Sequence, residues 1–156
     1  AIMAARPDVH CAIHLHTIAG VAISAQQDGL KFYCQESMRF FGKVGYHDYE
    51  GISRDNSERA AIERDLKDNI VLFLRNHGTI VVGSSIAEAF TYSVNLERSC
   101  QIQLAAQQSG AALIHPSPEI CEATRHQTQT GAQPGGLKAW RAYRRIADAL
   151  FPSYLN

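Results

Sequence analysis

Three histidine residues form the pattern in this sequence with the clearest chemical potential. His14 and His16 alternate in the run Cys-Ala-Ile-His-Leu-His-Thr, and His77 lies far downstream in Leu-Arg-Asn-His-Gly-Thr. On an extended strand alternate side chains share one face, with Cα atoms roughly 6.5 to 7 Å apart, so two imidazoles can converge on one ion. A third imidazole from a separate element would leave the fourth tetrahedral position for water or substrate, as in catalytic zinc sites. The sequence therefore predicts a metal site on these three residues.

The residues that follow the histidine pair exclude two other kinds of metal site. A cupin site needs a glutamate a few residues after the pair, and residues 18–26 contain none. A metallo-β-lactamase site needs an aspartate two residues after the second histidine, where this chain has Ile18. One alternative stays open on spacing alone: the three imidazoles could serve only as hydrogen-bonding groups on a partly buried strand.

The other histidines are weaker candidates. His47 lies in the aromatic, acidic run 46–50, which could contribute to a substrate pocket or to a contact between subunits, with a plain surface loop as the alternative. His10 shares the strand face of the histidine pair but lies at the open end of that face, so we expect it to be solvated. We expect His115 and His126, in polar contexts, to be ordinary surface residues.

Composition and charge narrow the class of protein. The 156 residues suffice for one domain with a substantial core. Lys plus Arg (15) balance Asp plus Glu (15), so the net charge gives no reason to expect nucleic acid or an anionic membrane as a partner. No apolar run approaches the roughly 20 residues of a membrane-spanning helix. The four widely spaced cysteines, without a Cys-x-x-Cys pair, favour reduced thiols in a cytoplasmic protein over two disulfides.

A mixed α/β pattern would position the histidines. A strand over residues 10–16 places Ala12, His14 and His16 on one face, which we expect to look into a cavity or cleft. Its other, more apolar face should pack inward. The apolar run 70–74 predicts a buried strand, and the Arg-Asn-His-Gly turn leads into a second strand, 79–82, as in a hairpin. Further predicted elements are a helix end at 1–5, a helix at 18–25, one or two strands and a loop within 30–50, and helices at 57–68, 118–127 and 137–150, with a loop at 131–136.

A long helix over residues 86–108 carries one anomalous carboxylate. The run Ser85-Ile-Ala-Glu88 forms a capping box that begins this helix. At roughly 100° per residue, the side chain of Glu97 falls about 20° from that of Ile86, inside the apolar arc expected to pack on the sheet. Burying an unpaired carboxylate is costly, so we expect Glu97 to have a cationic or hydrogen-bonding partner. We expect a structural ion pair, such as one with an arginine, more than a catalytic role. The arc comprises Ile86, Ala89, Phe90, Val94, Leu96, Cys100 and Leu104.

Several of these runs together resemble the class II aldolase/adducin family, and within it the adducin-like branch. The similar segments are Ala-Ala-Arg-Pro-Asp-Val-His-Cys-Ala-Ile-His-Leu-His-Thr, Tyr-His-Asp-Tyr-Glu-Gly, Leu-Arg-Asn-His-Gly-Thr-Ile-Val-Val-Gly and Glu-Ala-Phe. The resemblance implies a three-layer α/β/α fold with a central, largely antiparallel sheet, in a cytoplasmic homotetramer. It also implies that His14, His16 and His77 bind Zn²⁺, or another divalent metal.

The resemblance further implies a type of chemistry. Catalytic members of the family cleave or epimerise phosphorylated sugars by a retro-aldol route, in which the metal stabilises an enediolate. The sequence is therefore expected to be a zinc-dependent lyase or epimerase-like protein acting on a small sugar-derived hydroxy-carbonyl substrate. The alternative, from the adducin head domain, is a non-catalytic oligomerisation module with a structural or vestigial metal site.

The part of the family domain that precedes the His-x-His strand is not found in this sequence. In the aldolases that part carries the carboxylate base and the phosphate-binding loops. We therefore expect residues 1–156 to be a single class II aldolase/adducin-like domain without its N-terminal part. For the same reason the sequence assigns no catalytic and no substrate-binding residue.

Overall fold

A four-stranded sheet lies at the centre of the computed structural model, which describes residues 2–51, 58–130 and 137–155. Within those ranges the strand order is β1-β4-β3-β2. β4 pairs antiparallel with β1 and with β3, whereas β2 pairs parallel with β3. The expected largely antiparallel sheet is therefore confirmed. The strands are β1 (Cys11–Leu15), β2 (Val44–His47), β3 (Val71–Leu74) and β4 (Gly78–Gly83).

Helices cover both faces of this sheet, which gives the three layers expected. On one face α2 and α5 pack over a core that includes Ile23, Phe73 and Cys100. On the other, α1 and α4 lie against a second core that includes Leu66 and Leu72. The helices are α1 (Ile2–Ala5), α2 (Ile18–Ser24), α3 (Gln35–Met38), α4 (Glu58–Leu66), α5 (Ile86–Gln108), α6 (Pro118–Thr130) and α7 (Leu137–Leu150), followed by a 3₁₀ turn (Pro152–Leu155).

The two central strands form the predicted hairpin. All four residues of β3 and all six of β4 are buried, because each strand is covered on both faces. Leu74 pairs with Gly78, so the connecting turn comprises only the three residues between them. The third residue of this turn is His77, which the hairpin therefore fixes at one end of the sheet.

Side-chain caps define where α2 and α5 begin. Thr17 caps α2 by accepting a hydrogen bond from the Gly20 amide at 3.2 Å, and Ser85 caps α5 by accepting from the Glu88 amide at 3.2 Å. The predicted capping box is only half correct. The Glu88 carboxylate accepts from the amide and the hydroxyl of Ser84, at 2.7 and 2.6 Å, rather than from Ser85.

The buried face of α5 is rotated from the predicted apolar arc. Ile86, in the middle of that arc, is 61% exposed, whereas Ser93 and Gln103 are buried. Small residues are needed where α5 approaches the sheet, since a Cβ on Gly83 would lie 2.7 Å from the Ala89 amide nitrogen. The buried Gln103 amide is satisfied by the loop after α2, so its polarity does not oppose burial.

Residues 30–50 differ most from the sequence-based expectation. They contain a single strand, β2, and the short helix α3, which the mixture of aromatic residues and glycines did not indicate. α6 extends three residues beyond the predicted end at 127. The predicted helix start at 57 and the predicted loop 131–136 lie outside the described residues.

A membrane span requires a long apolar helix, and none within the described ranges has that combination of length and apolarity.

The cap of α5 gives a direct test of this architecture. Replacing an N-cap serine with alanine leaves a helix amide unsatisfied, so we expect Ser85→Ala to lower the free energy of unfolding by about 1 kcal/mol. Urea denaturation followed by circular dichroism measures the change. Ser109→Ala, at the other end of the same helix, is the control, and an equal loss there would contradict a specific role for the N-cap.

Candidate metal centre

The structure brings His14, His16 and His77 together at one end of the sheet. One ring nitrogen from each of the three lies within 4.8 Å of the others. The ring centroids are 4.5, 4.6 and 4.9 Å apart, and the rings meet edge to face. His14 and His16 are exposed and His77 is half-buried, so the cluster is open to solvent on one side rather than enclosed in a cleft.

The pairing of β1 with β4 places the first two histidines. His14 is opposite Ile80, so it lies on the sheet face that carries Ile80. β1 ends at Leu15, so the prediction that the strand extends to His16 is wrong, and His16 follows directly after the strand. His14 Nδ1 lies 3.0 Å from the Thr79 carbonyl oxygen, to which it donates. This hydrogen bond fixes the ring orientation and leaves Nε2 directed at the cluster, which is the arrangement that metal-binding histidines ordinarily adopt.

A close approach between the end of β1 and the start of β4 places His16 beside the hairpin turn. A Cβ on Gly78 would lie 2.4 Å from the Leu15 carbonyl oxygen and 2.9 Å from His16 Cδ2. Only glycine allows this approach. The contact between this glycine and the end of β1 could not be predicted from the sequence, because the two segments are remote along the chain.

The turn that carries His77 is held by backbone geometry and by Arg75. Asn76 has φ of +58°, a left-handed conformation that asparagine tolerates better than most residues. The Arg75 guanidinium donates to the carbonyl oxygens of Gln26 and Gln27 at 2.6 and 3.2 Å and stacks 4.2 Å from the centre of the Tyr46 ring. This role of Arg75 was not predicted from the sequence. The only signal for it was the position of Arg75 two residues before His77.

The donor set fits a divalent transition metal. A tetrahedral ion about 2.0 to 2.1 Å from each imidazole nitrogen needs nitrogens roughly 3.3 Å apart. His14 Nε2 and His16 Nε2 are 2.7 Å apart. Two facing lone pairs repel, so nitrogens this close need a proton or a cation between them. Zinc favours imidazole ligands of this kind. Metal binding by the cluster stays a prediction, and it would require the two nitrogens to move apart by about 0.6 Å.

Glu97 lies behind the strand, and its partners differ from the prediction. It is half-buried and accepts hydrogen bonds from the Thr17 hydroxyl at 2.5 Å and from Gln101 Nε2 at 2.8 Å. The expected hydrogen-bonding partner is therefore present, whereas the structural ion pair with an arginine is not found among the described residues. The rotation of α5 explains the error, because it turns Glu97 away from the packed core and toward the end of β1.

A cavity of about 480 Å³ separates β1 from α5 and α7 on the face opposite the histidines. Leu15 is 37% exposed there, so the apolar face of β1 is only partly packed, contrary to the expectation that it packs inward. The α7 helix closes one side through ring contacts of Phe90 with Trp140 and Tyr143. The cavity wall includes Ile13, Leu15, Thr17, Phe90, Glu97 and Tyr143.

His47 is buried rather than part of a surface loop, so that alternative is wrong. Its side chain is 2% exposed, and its Nδ1 lies 2.8 Å from Asp65 Oδ2 on α4. Hydrogen bonds from Arg64 and then from His47 hold the pKa of the Asp65 carboxyl below its ordinary value of 3.8. The pair joins β2 to α4 and is a structural contact.

The remaining histidines are solvated, as expected. His10, His115 and His126 are all exposed, and His115 lies edge to face with Tyr33 at 5.0 Å. None of them belongs to a three-residue cluster of potential metal ligands within the described ranges.

Comparison with known proteins gives a consistent match. The family model described as the class II aldolase and adducin N-terminal domain matches residues 1–104. Rat alpha-adducin is 38% identical over 156 residues, which cover 96% of this chain and 21% of that protein.

Two solved structures extend the comparison to the fold. An aldolase II superfamily protein from Pseudomonas syringae is 41% identical with a TM-score of 0.90, over 99% of this chain and 62% of that one. An L-fuculose 1-phosphate aldolase from Glaciozyma antarctica is 27% identical with a TM-score of 0.80, over 97% of this chain and 57% of that one. The chain spans 61% of the length of the curated bacterial relatives that it matches.

The close approach at Gly78 leads to a prediction about the site. We expect Gly78→Ala to push the end of β1, next to His16, away from β4. This displacement should lower zinc affinity and should reduce the free energy of unfolding by about 1 to 3 kcal/mol. Isothermal titration with zinc and thermal unfolding measure the two effects. Gly110→Ala is the control, because φ there is +65° but a new Cβ would contact nothing, so stability should fall without a change in zinc affinity.

The Asp65 carboxyl leads to a prediction about acid stability. Its folded pKa lies below its unfolded pKa, so its contribution to stability is present at neutral pH and is lost as the pH falls through the folded value. We expect Asp65→Asn, which does not titrate, to make the loss of stability below about pH 4 shallower. Urea unfolding between pH 7 and pH 2 measures it. An unchanged acid profile would show that the Asp65 carboxyl, with its hydrogen bonds from Arg64 and His47, carries no pH-dependent stability.

Proposed function

Because this chain belongs to the class II aldolase and adducin family, we propose that it binds a divalent metal ion, zinc in the first instance, through His14, His16 and His77. The observation that carries the proposal is the convergence of three imidazole nitrogens within 4.8 Å. The hydrogen bond that directs His14 Nε2 into the cluster supports it. The exposed side of the cluster would leave one coordination position for a ligand from solution.

We further propose that the metal centre belongs to a lyase or epimerase of small, sugar-derived hydroxy-carbonyl compounds. The similarity to a protein named L-fuculose 1-phosphate aldolase supports this substrate class, including phosphorylated sugars. A bound divalent ion would supply a Lewis acid, polarising a carbonyl oxygen and offsetting the negative charge that develops as a C–C bond breaks or as a proton is removed.

The residues of this chain would hold and orient that centre. His14 keeps the tautomer needed for binding because its Nδ1–H donates to the Thr79 carbonyl oxygen. Arg75 and Asn76 fix the turn from which His77 reaches the other two rings. Among the described residues no carboxylate joins the three imidazoles, so we assign the acid/base step to a group outside this cluster.

The whole protein's properties are proposals as well, since the chain spans about three fifths of its curated bacterial relatives. We propose one class II aldolase/adducin-like domain over residues 1–156, acting in a cytoplasmic homotetramer. Its partners would be a small-molecule substrate and further copies of the chain.

The second candidate function is a non-catalytic adducin-like oligomerisation module with a structural or vestigial metal site. Identity of 38% with rat alpha-adducin favours it. The two functions differ at the fourth coordination position. Water or an oxyanion there is the arrangement of an enzyme, whereas a fourth protein ligand is the arrangement of a structural site.

Metal analysis of a single variant tests the ligand assignment. We expect the purified wild-type chain to bind one zinc ion per chain and His77→Ala to lose it, because two remaining imidazoles give too few ligands. Plasma emission spectroscopy after dialysis against zinc measures the stoichiometry. His115→Ala, an exposed histidine outside the cluster, should retain the metal, and full zinc content in His77→Ala would refute the assignment.

A substrate screen then separates the two candidate functions. The zinc-loaded chain, alone and extended to the length of its relatives, would be incubated with phosphorylated and free sugar aldol products. Metal-dependent cleavage or epimerisation that is lost in His77→Ala supports the enzyme. Stoichiometric zinc without turnover in either length supports the oligomerisation module.

A further inference from the structure

Glu97 connects the long helix α5 to the strand that carries the histidine pair, and we propose that it is a positioning residue for the metal centre. The proposal rests on the proposed metal binding by His14, His16 and His77. Glu97 does not belong to the three-imidazole cluster, and would act through Thr17, the residue that follows His16.

The carboxylate of Glu97 is held at both oxygens. Thr17 Oγ1 donates to Oε2 at 2.5 Å, and Gln101 Nε2 donates to Oε1 at 2.8 Å. Gln101 lies one turn further along α5, so it fixes the carboxylate in the rotamer that reaches Thr17. A hydrogen bond from a hydroxyl to an ionised carboxylate is about twice as strong as a bond between neutral groups. The contact therefore joins residues 80 positions apart with a strong, directed bond.

The proton arrangement at Thr17 depends on this carboxylate. An ionised carboxylate only accepts, so the Thr17 hydroxyl must donate to Glu97. Its lone pair is then free to accept from the Gly20 amide at 3.2 Å, which is the cap that begins α2. One hydroxyl thus sets both the start of α2 and the direction in which the chain leaves β1, directly after His16.

A second route reaches His14 through Gly20. A Cβ on Gly20 would lie 2.6 Å from Thr17 Oγ1 and 3.3 Å from the Thr79 methyl carbon, so α2 packs tightly between these two threonines. Thr79 supplies the carbonyl oxygen that holds His14 Nδ1. The first turn of α2, fixed by the bond between Thr17 and Glu97, therefore supports both the residue that follows His16 and the residue whose carbonyl oxygen holds His14.

Hydrogen bonds have to fix this end of β1 because apolar packing does not. β1 is an edge strand of the described sheet, paired only with β4. Behind it lies the cavity of about 480 Å³, and Leu15 is 37% exposed. A side chain with few neighbours is not held by dispersion contacts, so the bond from Thr17 to Glu97 is the constraint on the α5 side of the strand end.

Zinc affinity in matched variants tests the proposal. We expect Glu97→Ala and Thr17→Val each to weaken zinc binding about tenfold or more, the effect typical of outer contacts that orient metal ligands. The double variant should bind zinc no more weakly than whichever single variant has the lower zinc affinity, because both changes remove the bond between Thr17 and Glu97. Competition with a chromophoric chelator measures the dissociation constant. Thr17→Ser, which keeps the hydroxyl, should restore wild-type affinity.

Two further measurements separate positioning from general stability. The visible spectrum of the Co²⁺-substituted chain reports coordination geometry, and we expect Glu97→Ala to change it. Arg98→Ala is the control: Arg98 is the next residue of α5, is exposed, and makes no hydrogen bond to Thr17 among those described. It should change neither the spectrum nor the affinity. A lower melting temperature of metal-free Glu97→Ala with unchanged zinc affinity and cobalt spectrum would overturn the proposal.

The remaining outcomes are also decisive. Should Glu97→Ala fail to fold, Glu97→Leu carries the test, because leucine fills a similar space but cannot accept a hydrogen bond from Thr17. A several-fold loss of zinc affinity in that variant supports the proposal, and unchanged affinity overturns it. If the wild-type chain itself binds no zinc, the proposed function fails and this inference fails with it. If the wild type and the Glu97 variants all bind zinc normally, the proposed metal binding stands and only the positioning role of Glu97 is refuted.

Discussion

The antiparallel register of β1 against β4 is the constraint on which the rest of the site depends. It sets His14 opposite Ile80 and brings the end of β1 to Gly78, directly beside the turn that carries His77. Side chains on a strand alternate between faces, so a slip of one residue would move both histidines of the pair to the α5 side of the sheet.

The three-histidine cluster lies at an end of the sheet where polar contacts supplement apolar packing. The centre of the sheet is held by buried side chains such as Phe73 and Leu72 on its two faces. At the histidine end the supports are hydrogen bonds from Arg75 to the loop after α2, from His14 to Thr79, and from Thr17 to Glu97. These bonds are directional, so they can fix ring orientation while one side of the cluster stays open to a ligand.

This division of roles fits a family that contains both aldolases and adducins. The central sheet and its two cores can persist without any ligand, since they need only apolar burial. A metal centre on the exposed end can then be used for chemistry, or retained without it, at little cost to the fold. The residues that distinguish the two uses are therefore those around the open coordination position, and not those of the core.

The sequence by itself determined the elements with strong local signals and the identity of the three histidines. Alternation defined β1, the continuous apolar run defined β3, and the capping serine defined the start of α5. It could not give the rotation of α5, the burial of His47 against Asp65, or the supporting bonds of Arg75 and Glu97. Each of these joins residues far apart in the chain, so only the tertiary structure decided them: periodicity reports which face of an element is apolar, but not which remote group its polar side chains will meet.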